Sequence, residues 1–356
     1  MALHPLSLDP ATLVRAFTMA AGVLGSIRID PGSPVRAASP DLGAPLQLEP
    51  MQCCICGHED ALPVGVGSDF EYRSSPDQFL AMRCRSCGLV YLKLRPAMSE
   101  LDRIYPPTYH AFDFTAEKFG LAHRVRRRLE ARRLLRWCRD LDHGARILDV
   151  GCGDGFHLKL LAEFGSPDWA LEGVDASERA VRAARARNLT VHLGTIQQLS
   201  LPADSYDLAL LIATIEHVDD PAGVLRAVHR ILRPGGRALI VTDNTDTPSF
   251  RMFAGRHWGG YHFPRHWNLF NPRNLRRLAT DQGFLVDHLA TIVTPVNWTY
   301  SIHNFLVDYG APTWLINRFT LASPTSLGVF TLLDAGLQAF GRGGLLQAIV
   351  RKPRDA

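Results

Sequence analysis

Lysine is nearly absent from this chain of 356 residues: Lys93, Lys118, Lys159 and Lys352 are the only four among 39 basic side chains. The other 35 are arginines, a skew that a GC-rich coding sequence explains without a polyanionic partner. Net charge is scarce too, +4 from 39 basic against 35 acidic residues, and so mild a balance does not call for nucleic acid. Long apolar runs are missing. The longest uncharged stretch, His288 to Val307, contains Pro295, Asn297 and Asn304 and does not read as a transmembrane helix. The N-terminus lacks a basic n-region, and Asp9 and Arg15 interrupt its apolar part, so no signal peptide is expected. Seven cysteines are too few for a disulfide scaffold in a chain of this length, and four of them form two Cys-x-x-Cys pairs. That pattern reads as metal in a reducing compartment, and a cytoplasmic protein is the expectation. What remains is an ordinary globular composition, 46% hydrophobic and 21% charged, with room for about two domains plus extras.

The chain divides into six parts. Residues 1–50 combine a candidate helix (Ala11 to Ile27) with a Pro-, Gly- and Ser-rich stretch from Pro31, and are expected to lie outside the folded core. A Cys-bearing module occupies 51–94. A connector and Arg-rich helix fill 95–141, with Tyr105, Tyr109, Phe112 and Phe114 in the connector and Leu121, Val125, Leu129, Leu135 and Cys138 near helical spacing. From 142 to 293 strands and helices alternate. The strands are Arg146–Val150, Trp169–Val174, Thr190–Leu193, Tyr206–Ile212, Ala238–Thr242 and Phe284–Val293. The helices are Gly155–Phe164, Glu178–Arg187, Pro221–Leu232 and Asn271–Gln282. This rhythm predicts an α/β fold with a doubly wound, Rossmann-like sheet. Residues 294–343 read as an apolar helical insert, a lid or dimer surface and less often a membrane-surface contact, and 344–356 hold a last strand, Leu345–Arg351.

The strongest motif is Ile147-Leu148-Asp149-Val150-Gly151-Cys152-Gly153-Asp154-Gly155, a strand running into a glycine turn and a helix. Such a turn lets the backbone approach a ligand, and the helix start presents N–H groups. Asp175 ends the next strand, where an acid would grip ribose hydroxyls. Two details argue against a dinucleotide. Phe156 stands where the pyrophosphate fingerprint continues toward its third glycine, and Asp149 would repel a pyrophosphate while suiting the cationic end of an amino-acid ligand.

With these residues the chain resembles the class I S-adenosylmethionine-dependent methyltransferases. The resemblance extends to Leu199-Ser200-Leu201-Pro202, Ser205-Tyr206-Asp207-Leu208, Ile215-Glu216-His217-Val218-Asp219-Asp220-Pro221 and Leu232-Arg233-Pro234-Gly235-Gly236. It implies a seven-stranded sheet with an antiparallel last strand and S-adenosyl-L-methionine as cofactor. It also implies that Gly151, Cys152 and Gly153 line the methionine part, Asp175 and the adjacent Ala176 the ribose, Thr195 and Ile196 the adenine, and Ala213 the opposite side. Thr195 departs from the acid that many members carry there, which leaves adenine recognition to backbone groups.

Cys53-x-x-Cys56-Gly57 and Cys84-x-x-Cys87-Gly88 are two knuckles whose four thiolates suit a closed, structural Zn²⁺ site. Cys54 is out of ligand register.

For the chemistry, a hydroxyl acceptor needs a base, and histidine suits neutral pH. Glu216-His217 follows the fourth strand. Arg256 to Trp267, with His257, His262 and His266, follows the fifth, at the same carboxyl edge. His266 ranks first, then His262 and His217, with Glu216 beside them. Some family members hold a divalent metal with Glu-x-x-Glu-His and a later His; here Ala213 replaces the first Glu. The expected activity is methyl transfer to a small molecule, a sugar or secondary metabolite, most simply at oxygen. Alternatives are an RNA methyltransferase using the arginines of 124–139, a sugar C-methyltransferase, and a cofactor-binding protein without turnover.

Overall fold

The computed structural model describes residues 43–106, 109 and 116–354. The candidate helix Ala11–Ile27 and connector residues Phe112 and Phe114 lie outside the described residues. The N-terminal part carries β1 (Leu48–Pro50), β2 (Ala61–Gly67), β3 (Phe79–Cys84), β4 (Val90–Leu92) and β5 (Leu94–Pro96). A short helix α1 (Leu101–Ile104) and the long α2 (Ala116–Trp137) lead into the core. There follow β6 (Arg146–Val150), α3 (Phe156–Phe164), β7 (Ala170–Asp175), α4 (Glu178–Arg185), β8 (Thr190–Leu193) and β9 (Tyr206–Ile212). Next come α5 (Pro221–Ile231), β10 (Leu232–Asp243), α6 (Pro248–Phe253), β11 (Asn268–Leu269), α7 (Pro272–Asp281) and β12 (Leu285–Ile292). The last elements are α8 (Val296–Asp308), α9 (Thr313–Ile316), α10 (Pro324–Gln338) and β13 (Leu345–Arg351).

Seven strands form the main sheet in the order β12-β13-β10-β9-β6-β7-β8. β8, β7, β6, β9 and β10 run parallel, and β13 lies antiparallel between β10 and β12. The expected doubly wound α/β sheet is therefore present. The central strand β9, Tyr-Asp-Leu-Ala-Leu-Leu-Ile, is buried along almost its whole length, as a strand covered by helices on both faces must be. Helix starts are set by local chemistry. Pro221 follows Asp220, whose carboxylate accepts the Gly223 N–H, and Asn271 and Asn274 form a reciprocal capping box ahead of α7. In β10 the Pro234-Gly235-Gly236 run does not end the element. It leaves a register break between Leu232 and Arg237, after which pairing with β9 resumes. In α2 the seam toward the core is Ala131 and Leu134, continued by Cys138 just past its end, while Leu129 faces solvent at 59% exposure.

Two boundaries differ from expectation. Residues 48–50 belong to the fold: β1 pairs with β5 from Leu48 with Pro96 to Pro50 with Leu94. Leu46 is buried, and its N–H donates to Asp77 Oδ2 at 2.8 Å. Low-complexity composition carries no sign of an edge partner so far along the chain. Nor is the Cys-bearing module a separate bead. β11, from the segment after β10, extends its sheet in the order β11-β4-β3-β2, and one hydrophobic cluster joins Phe79, Ala81 and Tyr91 to Leu148 and Val150.

Candidate active site

The glycine turn follows β6 at the carboxyl edge of the sheet. Gly151 (φ +71°) and Cys152 donate their N–H groups to the Val174 carbonyl at 2.7 and 3.1 Å, which ties the turn to β7. Asp175, at the end of β7, accepts N–H bonds from Gly153 and Ser177, both at 2.8 Å, so its carboxylate has a fixed orientation. Burial raises its pKa. A Cβ on Gly151 would stand 2.6 Å from Thr214 Cγ2, whereas one on Gly153 (φ +56°) would meet nothing within 4 Å. Asp149 is buried, with His157 Nδ1 3.7 Å from its Oδ2 and no hydrogen-bond partner for that oxygen among the described residues. Ile196 is buried behind β8, Thr195 and Ala176 border the same edge, and Ala213 holds a left-handed φ of +53° directly after β9. The Cys152 thiol is buried, and desolvation pushes its pKa far up, so it is a packing group rather than a nucleophile.

Beside this turn three histidines converge. The rings of His217 and His266 are 4.6 Å apart, edge to face, and those of His262 and His266 are 5.0 Å apart. His266 Nδ1 lies 2.9 Å from the Gly260 carbonyl, to which it donates, and 3.3 Å from Asp243 Oδ2 at the end of β10. Asp243 is held by the Asn297 amide at 2.7 Å, and burial raises its pKa to about 7. Glu216 is buried, and desolvation together with Asp243 raises it to about 8. His217 Nδ1 donates to the Arg265 carbonyl at 3.0 Å and lies 2.9 Å from the Tyr105 hydroxyl. Burial raises the pKa of Tyr105, with smaller contributions from the charges of Asp175 and Glu216. Ligand atoms of Glu216, His217 and His266 lie within 4.8 Å of one another.

The other wall comes from the Cys-bearing module. Its β2–β3 loop brings Glu71 Oε1 within 2.8 Å of His262 Nδ1. Asp69 forms a two-pronged pair with the wholly buried Arg265, at 2.9 and 3.2 Å. The guanidinium of Arg265 also lies 4.4 Å over the Tyr72 ring. Burial and the Arg265 charge lower the pKa of His262 well below the ordinary imidazole value, so it stays neutral.

Residues 121–289 match a family model described as a methyltransferase domain. The ubiquinone biosynthesis O-methyltransferase of Cereibacter sphaeroides (strain ATCC 17025) is 31% identical over 171 residues, 45% of this chain and 68% of that protein. The chain belongs to the class I S-adenosylmethionine-dependent methyltransferases. The enzyme of the same name from Aeromonas salmonicida is 30% identical over 187 residues, 48% of this methyltransferase and 77% of that one. An uncharacterized 37.1 kDa protein in a Streptomyces fradiae transposon is 35% identical over 171 residues, covering 44% and 48% of the two chains. Among solved structures, phosphoethanolamine N-methyltransferase 2 of Haemonchus contortus, with S-adenosyl-L-methionine, has a TM-score of 0.49 at 18% identity, over 82% of this chain and 68% of that one.

The residues present fit the methyltransferase cofactor. The open side of Gly153 leaves backbone exposed to a ligand, the orphaned Asp149 oxygen suits an ammonium group, and the tethered Asp175 suits paired hydroxyls. The fold brings the sequence-selected His217, His262, His266 and Glu216 together. It adds Asp69, Glu71, Tyr105, Asp243 and Arg265, of which Tyr105, in the aromatic connector, Arg265, inside the Arg256–Trp267 segment, and Asp243, one residue past the expected Ala238–Thr242 strand, had a signal in the sequence.

The second cysteine-based site is compact. Cys53 Sγ lies 3.3 Å from Cys87 Sγ, and Cys56 Sγ lies 3.5 Å from Cys53 and 3.4 Å from Cys84. Gly57 and Gly88, at φ +65° and +76°, close the two knuckles by donating to the Cys53 and Cys84 carbonyls. A tetrahedron with Zn–S of about 2.3 Å has edges of about 3.8 Å, close to this spacing.

Proposed function

We propose that this methyltransferase acts on a hydroxyl group of a small molecule, a sugar or secondary metabolite, with His266 as general base. The observation that supports this reading most directly is the anchoring of His266 Nδ1 by the Gly260 carbonyl and Asp243. A proton held on Nδ1 makes Nε2 the basic nitrogen. S-adenosylmethionine supplies an electrophilic methyl group. With it bound, the methyl group would go to the acceptor oxygen and its carbon–sulfur electron pair to the departing sulfur, while His266 Nε2 would take the acceptor proton. Positioning contributes most of the rate. In this reading Gly151, Cys152 and Gly153 hold the methionine part, Asp175 and Ala176 the ribose, Thr195 and Ile196 the adenine, and Ala213 the remaining side. His262, His217 and Glu216 orient the acceptor. The O-methyltransferase names of the relatives favour oxygen over carbon or nitrogen. Zn²⁺ on Cys53, Cys56, Cys84 and Cys87 holds the N-terminal ribbon.

In His266→Ala, calorimetry with S-adenosylhomocysteine is expected to find unchanged affinity, while turnover of the acceptor falls by ~10²–10⁴-fold. Unchanged turnover would pass the role to His262 or His217. A second reading draws on the grouping of Glu216, His217 and His266 within 4.8 Å, which suits a divalent cation activating the hydroxyl. Turnover that is lost on chelation and restored by Mg²⁺ would favour it.

A further inference from the structure

Helix α10 is turned inside out. Val329, Leu332 and Leu333 share one face at i, i+3 and i+4, and Phe340, just past the last turn, continues the row. They are 57, 78, 43 and 82% exposed. The helix's one charged residue points the other way: the Asp334 carboxylate, buried, accepts the N–H groups of Thr294 at 2.8 Å and Gly344 at 2.9 Å. Phe330 stacks on Trp298 of α8, which fixes the orientation. Asp334 cannot rotate outward without abandoning both bonds, so the apolar row is locked toward solvent. A row of this kind marks an interaction surface.

Its charge surroundings say which kind. From Tyr309 to Gly341 the sequence contains one acid, the buried Asp334, and one cation, Arg318. The Arg318 guanidinium lies 5.9 Å over the ring of Trp314, itself 65% exposed, whereas Arg342, past the helix, is held by the Asp246 carboxylate. From Tyr309 to Gly341 the surface thus combines large apolar side chains, an interfacial tryptophan and one arginine, with no exposed acid. We propose that this face lies on an anionic lipid surface, with the α10 row entering the headgroup boundary and Arg318 meeting lipid phosphate. The same segment of a second copy offers Arg318 no exposed acid, whereas an anionic bilayer supplies the opposite charge throughout. Among the described residues no helix is long and apolar enough to cross a membrane, so the chain rests on the surface through α10 rather than spanning it there.

The test is co-flotation of the full chain with phosphatidylcholine vesicles containing phosphatidylglycerol, and with phosphatidylcholine alone, alongside sedimentation equilibrium. The expected result is flotation with the anionic vesicles, weaker flotation with the neutral ones, and an at least ~10-fold smaller bound fraction for L332D/F340D. The variant should keep its affinity for S-adenosylhomocysteine, because Leu332 and Phe340 are exposed and α10 packs on α8 and β12. No flotation with anionic vesicles, or an unchanged bound fraction in the variant, overturns the proposal. A dimer in sedimentation that L332D/F340D dissolves, without vesicle binding, assigns the face to a second copy and overturns it as well.

Discussion

At the scale of single residues, the glycine turn separates two demands that one motif makes. Gly151 is required by its own protein: a side chain there runs into Thr214, whose hydroxyl is already bonded to the Val150 carbonyl at 2.9 Å. A Cβ on Gly153 meets no protein atom within 4 Å, so what would exclude a side chain there beyond its positive φ is, on the proposed function, the ligand. Gly153→Ala is therefore expected to fold, at a cost of about 1–2 kcal/mol for the left-handed backbone, and to lose at least ~10-fold in affinity for S-adenosylhomocysteine by calorimetry. Gly151→Ala is expected to lower the thermal midpoint much further. Equal effects of the two substitutions on stability and on affinity would contradict this division. Asp243 and Glu216 illustrate the opposite situation. Nothing in their immediate sequence says that they will sit buried and near one another, and it is that burial which raises both toward neutrality.

At the scale of elements, periodicity and punctuation were enough for most of the core. Thr190–Leu193, Tyr206–Ile212 and Leu345–Arg351 are strands over those residues, because each is a short apolar run between turn signals. Composition misled where an element owes its existence to a distant partner. β1 is a strand only because β5 offers it an edge, and β11 is two residues long because it extends a sheet built more than a hundred residues earlier in the chain. A chain starting at Met51 removes β1 and the buried Leu46, and is expected to melt several degrees lower than one starting at Gly43, by calorimetry. Equal midpoints would return residues 43–50 to the status of a dispensable extension.

At the scale of the whole molecule, the N-terminal ribbon and the methyltransferase core share one interior. The β2–β3 loop reaches Arg265 and His262, and β4 pairs with β11 immediately after His266 and Trp267. The Leu92 N–H also donates to the Trp267 carbonyl at 3.0 Å. Loss of the metal proposed for the four cysteines should therefore reach the histidines while sparing the glycine turn. Elemental analysis is expected to find one zinc per chain. Cys84→Ser should lose zinc and turnover together while still binding S-adenosylhomocysteine, since metal affinity and ribbon folding are one free energy. Full turnover in zinc-free protein would uncouple the ribbon from the site.

The sequence alone was sufficient for whatever depends on near neighbours in the chain. The αβ alternation, the glycine turn with Asp175, the two Cys-Gly knuckles and the histidine-rich segment after the fifth strand all rest on local spacing. The tertiary structure decided what depends on contacts between distant segments. It brought Glu71 and Asp69 from the ribbon against His262 and Arg265, set Asp243 behind His266, and made β1 a strand. A buried ion pair or a two-residue strand has no periodicity of its own. Its partner lies far along the chain, and only the folded core brings the two together.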